Sequence, residues 1–287
     1  MKDFPIPVRV TGPGSQPEDA DLNYLPFSRD VSTFSMPQVP SNAEAEAMTT
    51  AHELLARFVD GMGKSSSPRV ELAGFHPGGL EVLNQTLGEG EVSVRIDFRN
   101  GESRDIRIQE TVFAGVWREL HFDQDGRVAH DYLYAGAIPP VALELAQRGA
   151  TATLATETML APGAMNAPAV LAEIAHQVRA FRANQSPHVI NLTLLPMTPD
   201  DMQLLDRAVP DGPVSILSRG FGNCRISSTR LRNLWRVQYF NNMQTLILNT
   251  LEIVRVPEVA VAADEDIAES RERLAELVEW MADSSAA

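Results

Sequence analysis

Cysteine is nearly absent from this chain of 287 residues, where Cys224 stands alone. A single thiol forms no intrachain disulfide and supplies too few ligands for an iron–sulfur cluster or a cysteine-based zinc site. Lysine is almost as scarce, with only Lys2 and Lys64. A phosphate-cradling lysine therefore has no candidate in the body of the chain, and neither Gly-x-x-x-x-Gly-Lys nor Gly-x-Gly-x-x-Gly occurs. Basic residues are outnumbered, 24 Lys and Arg against 38 Asp and Glu, for a formal charge of −14. That balance argues against nucleic acid as a partner, because affinity for it comes from neutralising phosphates. No apolar run approaches the roughly 20 residues of a membrane-spanning helix. Met1-Lys2-Asp3-Phe4-Pro5 lacks the apolar core of a secretory signal, so a cytoplasmic protein without a membrane partner is expected. The six histidines form no His-x-x-x-His pair, and no Gly-x-Ser-x-Gly elbow appears. No catalytic residue, no metal site and no cofactor is expected.

What is present is enough apolar sequence for a packed core, 44% hydrophobic against 22% charged. Residues 1–46 carry seven prolines and read as an extended arm. Beyond it the chain repeats itself. Arg107-Ile108, Thr111, Trp117 and Arg118 recur 118 residues later as Arg225-Ile226, Thr229, Trp235 and Arg236. At an offset of 122, Val92-Ser93-Val94 meets Val214-Ser215-Ile216. Such self-similarity predicts an internal duplication, 47–150 and 151–287.

Each copy shows one grammar. An amphipathic helix (47–60; 167–182) precedes a short strand (69–75; 188–195) and a second helix (79–87; 199–208). Three extended runs follow, at 91–98, 104–120 and 127–138, and again at 213–219, 224–240 and 243–256. The fold class predicted is α+β, two α-β-α-β-β-β units in tandem. A run as long as 104–120 calls for a bend or bulge near Ala114-Gly115. An acidic helix over 265–282, with an apolar stripe of Ile267, Leu274, Leu277, Val278 and Met281, is expected to pack on the second sheet.

Charge is unevenly spread. Between Gly212 and Leu251 lie Arg219, Arg225, Arg230, Arg232 and Arg236 with no acidic residue, whereas the terminal helix is acidic. Either the helix neutralises the basic strands, or the chain offers two faces of opposite sign to another protein. Trp117 and Trp235 hold equivalent positions and would anchor a partner if exposed, or fill the core if not.

Gly12-Pro13-Gly14-Ser15-Gln16-Pro17, the block Leu87-Gly88-Glu89-Gly90-Glu91-Val92-Ser93-Val94-Arg95-Ile96 and Asn191-Leu192-Thr193-Leu194-Leu195-Pro196-Met197 resemble the HupH/HyaF family of NiFe-hydrogenase accessory proteins. So do Gly220-Phe221-Gly222 and Leu251-Glu252-Ile253 with Val256-Pro257-Glu258-Val259. The resemblance implies a non-catalytic maturation role. The expected partners are the iron–sulfur small-subunit precursor, held before twin-arginine export and protected from oxygen, and a thioredoxin-like accessory protein. Candidate contact residues are Glu89, Glu91, Trp117, Phe221, Trp235, Glu252 and Glu258. The alternative is a metal or cluster carrier that assembles a site between subunits through Cys224 with His52 or His176.

Overall fold

The computed structural model describes residues 44–62, 67–98, 105–155, 163–220 and 222–285. The expected arm, apart from its last three residues, and Phe221 lie outside them. Six helices and ten strands follow in the order α1 (Ala45–Met62), β1 (Arg69–Glu71), α2 (Pro77–Leu87), β2 (Val92–Asp97), β3 (Asp105–Glu110), β4 (Val116–Phe122), β5 (Val128–Ala135), α3 (Pro140–Gln147), α4 (Ala167–Ala180), β6 (His188–Asn191), α5 (Pro199–Ala208), β7 (Asp211–Ser218), β8 (Asn223–Thr229), β9 (Leu234–Phe240), β10 (Leu246–Ile253) and α6 (Asp264–Ser285). The class is α+β, built on one antiparallel sheet.

All ten strands join in the order β1-β5-β4-β3-β2-β7-β8-β9-β10-β6. Five strands on each side therefore run outward in the same sequence. The two sets meet where β2 pairs with β7, and Val94 lies opposite Ile216. These are the residues that the 122-residue offset aligns.

The strands alternate cleanly, and the alternation assigns the faces. Val94, Ile96, Ile106, Ile108, Val214, Ile216 and Ile226 point to one side and are buried under α3 and the turn at Glu258–Ala260. On the other side the helices flank the sheet. Helices α1, α2 and α6 cover Leu133 and Val116, while α4 and α5 cover Leu234, Leu251 and Ile253.

Three expectations need correction. The run 104–120 is a complete hairpin, with β3 paired to β4 as Ile106↔His121 and Glu110↔Trp117. The run 224–240 is likewise β8 and β9. Each unit thus has one strand more than expected. The reversal is made locally: the Thr111 hydroxyl accepts from Phe113 N–H and donates to Phe113 C=O, and Gly115 takes φ +75°. Thr229 makes the same pair of bonds to Leu231, with Asn233 at φ +57°. Second, the expected unit has no helix after its last extended run, yet α3 follows β5, with Pro140 in its first turn, where no N–H is needed. Third, α6 packs against α1 of the first set, burying Leu274 and Met281, instead of on the second set.

One glycine in the Leu87–Ile96 block is set by contact. Gly90 N–H donates to Glu110 C=O at 2.7 Å, and the Gln109 amide donates back to Gly90 C=O at 3.0 Å. A Cβ on Gly90 would sit 2.2 Å from the Thr111 carbonyl oxygen, which is backbone and cannot swing away. Gly90→Ala is expected to cost about 2–3 kcal/mol in urea unfolding, as an overpacking change.

Candidate functional site

Among the described residues, the inner four strands, β3-β2-β7-β8, leave most of their helix-side residues partly or fully exposed between the flanking helices, with Ser227 buried. This floor carries Asp105, Arg107 and Gln109, then Ser93, Arg95 and Asp97, then Ser215 and Leu217 with Arg219 just past the end of β7, then Arg225 and Ser227. Nearly every member is polar because the same strands give their aliphatic alternates to the opposite face. Arg95, Asp97, Arg107 and Arg219 are exposed. Asp105 accepts from Arg107 Nε at 2.9 Å and faces Arg95 Nε at 3.7 Å. The guanidinium of Arg225 stands 5.8 Å from the Phe240 ring.

Two arginines on the strands beside the floor tie the sheet to the flanking helices. Arg118 on β4 pairs with Asp131 and donates to Asn84 of α2 at 3.1 Å. Arg236 on β9 donates to Asp206 of α5 at 2.7 Å. Of the two alternatives for the charge, neutralisation of the basic strands by the acidic helix is disfavoured, because α6 packs on α1.

At one end of the central strand pair, two sequence-predicted stretches come together. Arg219 N–H donates to Glu91 C=O at 3.1 Å, and the Glu91 carboxylate lies against Gly220. Glu91, with Glu89 two residues before it and both exposed, thus borders Gly220 at the end of β7. Beside them Glu110 is buried and accepts from Gly115 N–H at 3.0 Å. Burial, reinforced by the nearby charges of Glu91 and Asp266, pushes its carboxyl up to about 7.

The remaining candidates go elsewhere. Trp117 and Trp235 are each 1% exposed, and their indole N–H groups donate to the carbonyls of Gly136 (2.8 Å) and Arg255 (3.3 Å). They are core residues, so the exposure that anchoring a partner requires is not met. Glu258 is exposed in the turn beneath β7. Glu252 is half-buried on β10, and burial raises its carboxyl.

Cys224 is buried on the aliphatic face, and desolvation pushes its thiol up to about 11. It is a protonated core thiol at neutral pH. His52 on α1 and His176 on α4 belong to the helix side of the sheet, opposite Cys224. The carrier's proposed ligands therefore do not converge within one chain. Among the described residues, no group of three His, Cys, Asp or Glu side chains is arranged to hold a metal ion.

One cluster escaped the sequence reading. On the aliphatic face of β1, β4 and β5, buried Glu119 accepts from Arg69 at 2.8 Å and pairs with His121. Burial raises the Glu119 carboxyl, but the hydrogen bond from His121 and the Arg69 charge outweigh it, and the net shift is downward. His130 contacts Glu71 at 2.9 Å and stacks on Tyr132, over which Arg69 also lies. The signal was available in the Asp125-Gly126 turn, whose hairpin register sets His121 opposite His130.

A family model described as "HupH hydrogenase expression protein, C-terminal conserved region" matches this chain twice, over residues 44–160 and 164–281. The chain belongs to the HupH family. Among its relatives, the hydrogenase expression/formation protein HoxQ of Cupriavidus necator is 44% identical over 98% of this chain and 99% of its own length. HupH of Rhodobacter capsulatus is 38% identical over 97% of this chain and 98% of its own. The hydrogenase-1 operon protein HyaF of Escherichia coli K12 is 31% identical over 96% and 97%. A solved structure of the hydrogenase expression protein HupH from Thiobacillus denitrificans, 29% identical, covers 41% of this chain and 96% of its own, with a TM-score of 0.37. Among the described residues of this HupH-family chain, no helix is long and apolar enough to cross a membrane.

Proposed function

We propose that this chain is a non-catalytic accessory protein of NiFe-hydrogenase maturation, working in the cytoplasm. It holds the precursor of the iron–sulfur small subunit and keeps oxygen from its clusters before twin-arginine export. A thioredoxin-like protein assists it. The body consists of two copies of one α-β-α-β-β-β-β unit, 47–150 and 151–287, preceded by the arm.

The observation that carries this reading is the open polar floor between the two helix groups, bordered at one strand end by Glu89 and Glu91. It is broad and charged, the kind of surface that docks a folded partner. The exposed carboxylates of Glu89 and Glu91 suit the basic signal region of a precursor, and the exposed Arg95, Arg107 and Arg219 suit carboxylates on its folded part. The twofold match of the HupH model and the names of the relatives agree with a hydrogenase client.

The test is binding of purified small-subunit precursor, with and without its signal peptide. Glu89→Lys/Glu91→Lys is expected to weaken the full precursor about tenfold, since each exposed charge contact contributes up to about 1 kcal/mol. The form without signal peptide should bind both proteins alike. Equal binding of the full precursor to both would remove these carboxylates from the site.

A further inference from the structure

The sheet ends on two edges, β1 and β6, which hold the same outermost place in the two five-strand sets. They are finished differently. Edge β1 is three residues long and charged. Arg69 is tied to Glu119 and lies over Tyr132, and Glu71 pairs with His130. Charged side chains and a short strand are how sheets discourage further pairing.

Edge β6 is nearly as short, and His188 at its start contacts Glu173 at 2.7 Å, but Val189, Ile190 and Asn191 carry no charged side chain. Its inner side pairs with β10 from His188↔Ile253 to Asn191↔Thr250, and among the described residues no strand flanks its outer side. Val189 is 51% exposed. The chain then continues along β10 through a 3₁₀ turn, Leu192–Leu194, where Asn249 N–H donates to the Thr193 hydroxyl at 2.8 Å. Leu194 is 80% exposed there, and Ile247 on the neighbouring strand is 55% exposed. Pro187 and Pro196 bracket the segment, which limits how far any pairing can run. An apolar edge with free backbone groups is matched by one kind of occupant, an extended chain that supplies both hydrogen bonds and apolar side chains.

We propose that β6 is a docking edge for an extended, neutral-to-basic segment of a partner protein, which adds a strand to the sheet and covers Val189, Leu194 and Ile247. The sign of the partner follows from charge. Two copies of this chain meeting edge to edge would bring together two bodies of formal charge −14, whereas a basic segment is attracted. Nothing in this edge depends on which hydrogenase component is bound.

The experiment uses the full chain and a fluorescein-labelled peptide alternating valine with lysine and threonine, read by anisotropy. A second peptide, N-methylated on alternate residues, cannot complete strand pairing. The first peptide should bind and protect the amides of residues 188–191 from hydrogen exchange. Binding should fall about tenfold for the N-methylated peptide and for Val189→Lys/Leu194→Asp. Both positions are exposed, so unfolding is not expected, and Ile247→Lys serves as a second variant of the same surface. Absence of binding, equal binding of the N-methylated peptide, or protection confined to other strands would overturn the proposal. A concentration-dependent dimer in light scattering that Val189→Lys abolishes would assign the edge to a second copy instead.

Discussion

Asp201→Asn is expected to destabilise the protein by about 3 kcal/mol, because one buried carboxylate organises the starts of two helices. One oxygen of Asp201 accepts from the backbone N–H groups of Met165, Asn166 and Ala167 at 2.7 to 2.8 Å, at the entry to α4. The other accepts from Thr198 N–H and the Thr198 hydroxyl at 2.9 Å, completing a capping box at α5. Burial alone would raise this carboxyl, but the hydrogen bonds from Ala167 and Thr198 outweigh it and hold it down at about 2. A depressed acid stabilises the fold above its unfolded value of 3.8, and that contribution is lost as pH falls toward 2. Asparagine leaves one acceptor for α4 but turns an N–H₂ toward the Thr198 N–H. Urea unfolding at pH 7 measures the loss. Between pH 4 and 2 the wild type should lose about 2 kcal/mol that the variant does not.

Glu110→Gln should act in the opposite direction and at the other end of the pH range. With its carboxyl raised from 4.5 to about 7, Glu110 favours the fold only while protonated. That stability is complete below pH 4.5, declines as pH rises and is gone above about 7. Glutamine keeps the acceptor for Gly115 N–H without the charge facing Glu91 and Asp266. The variant should therefore match the wild type near pH 4.5 and exceed it by up to about 3 kcal/mol at pH 8. Thermal unfolding across that range decides it, and a difference that did not vary with pH would remove the titration from the explanation.

How much of this was legible in the sequence depended on distance along the chain. The extended run 91–98 is local, and it identified β2, in which Val94 and Ile96 alternate with Ser93, Arg95 and Asp97. The helix predicted over 199–208 was equally local, and it is α5, opened by Pro199 after the Thr198 cap. The reversal at Thr111–Gly115 was not legible as a full turn. One glycine between apolar residues fits a bulge as well as a hairpin, and the decisive threonine bonds are made only once the chain has turned. The partner of α6 was less legible still, since a stripe of Leu274, Leu277 and Met281 fits any aliphatic surface of the right length. Packing on α1 keeps α6 off the inner strands, where Arg95, Arg107 and Arg219 are exposed, so the most informative surface of the molecule followed from the contact hardest to foresee. The approach of Glu91 to Gly220 depends in the same way on the β2–β7 pairing, which joins residues more than a hundred positions apart.

The central claim is tested most directly by affinity capture of the tagged full chain from cells assembling the hydrogenase in air, with the captured proteins identified by mass spectrometry. Recovery of the small-subunit precursor with its signal peptide still attached is the result predicted. Recovery of the large subunit alone, or of no hydrogenase component, would contradict it.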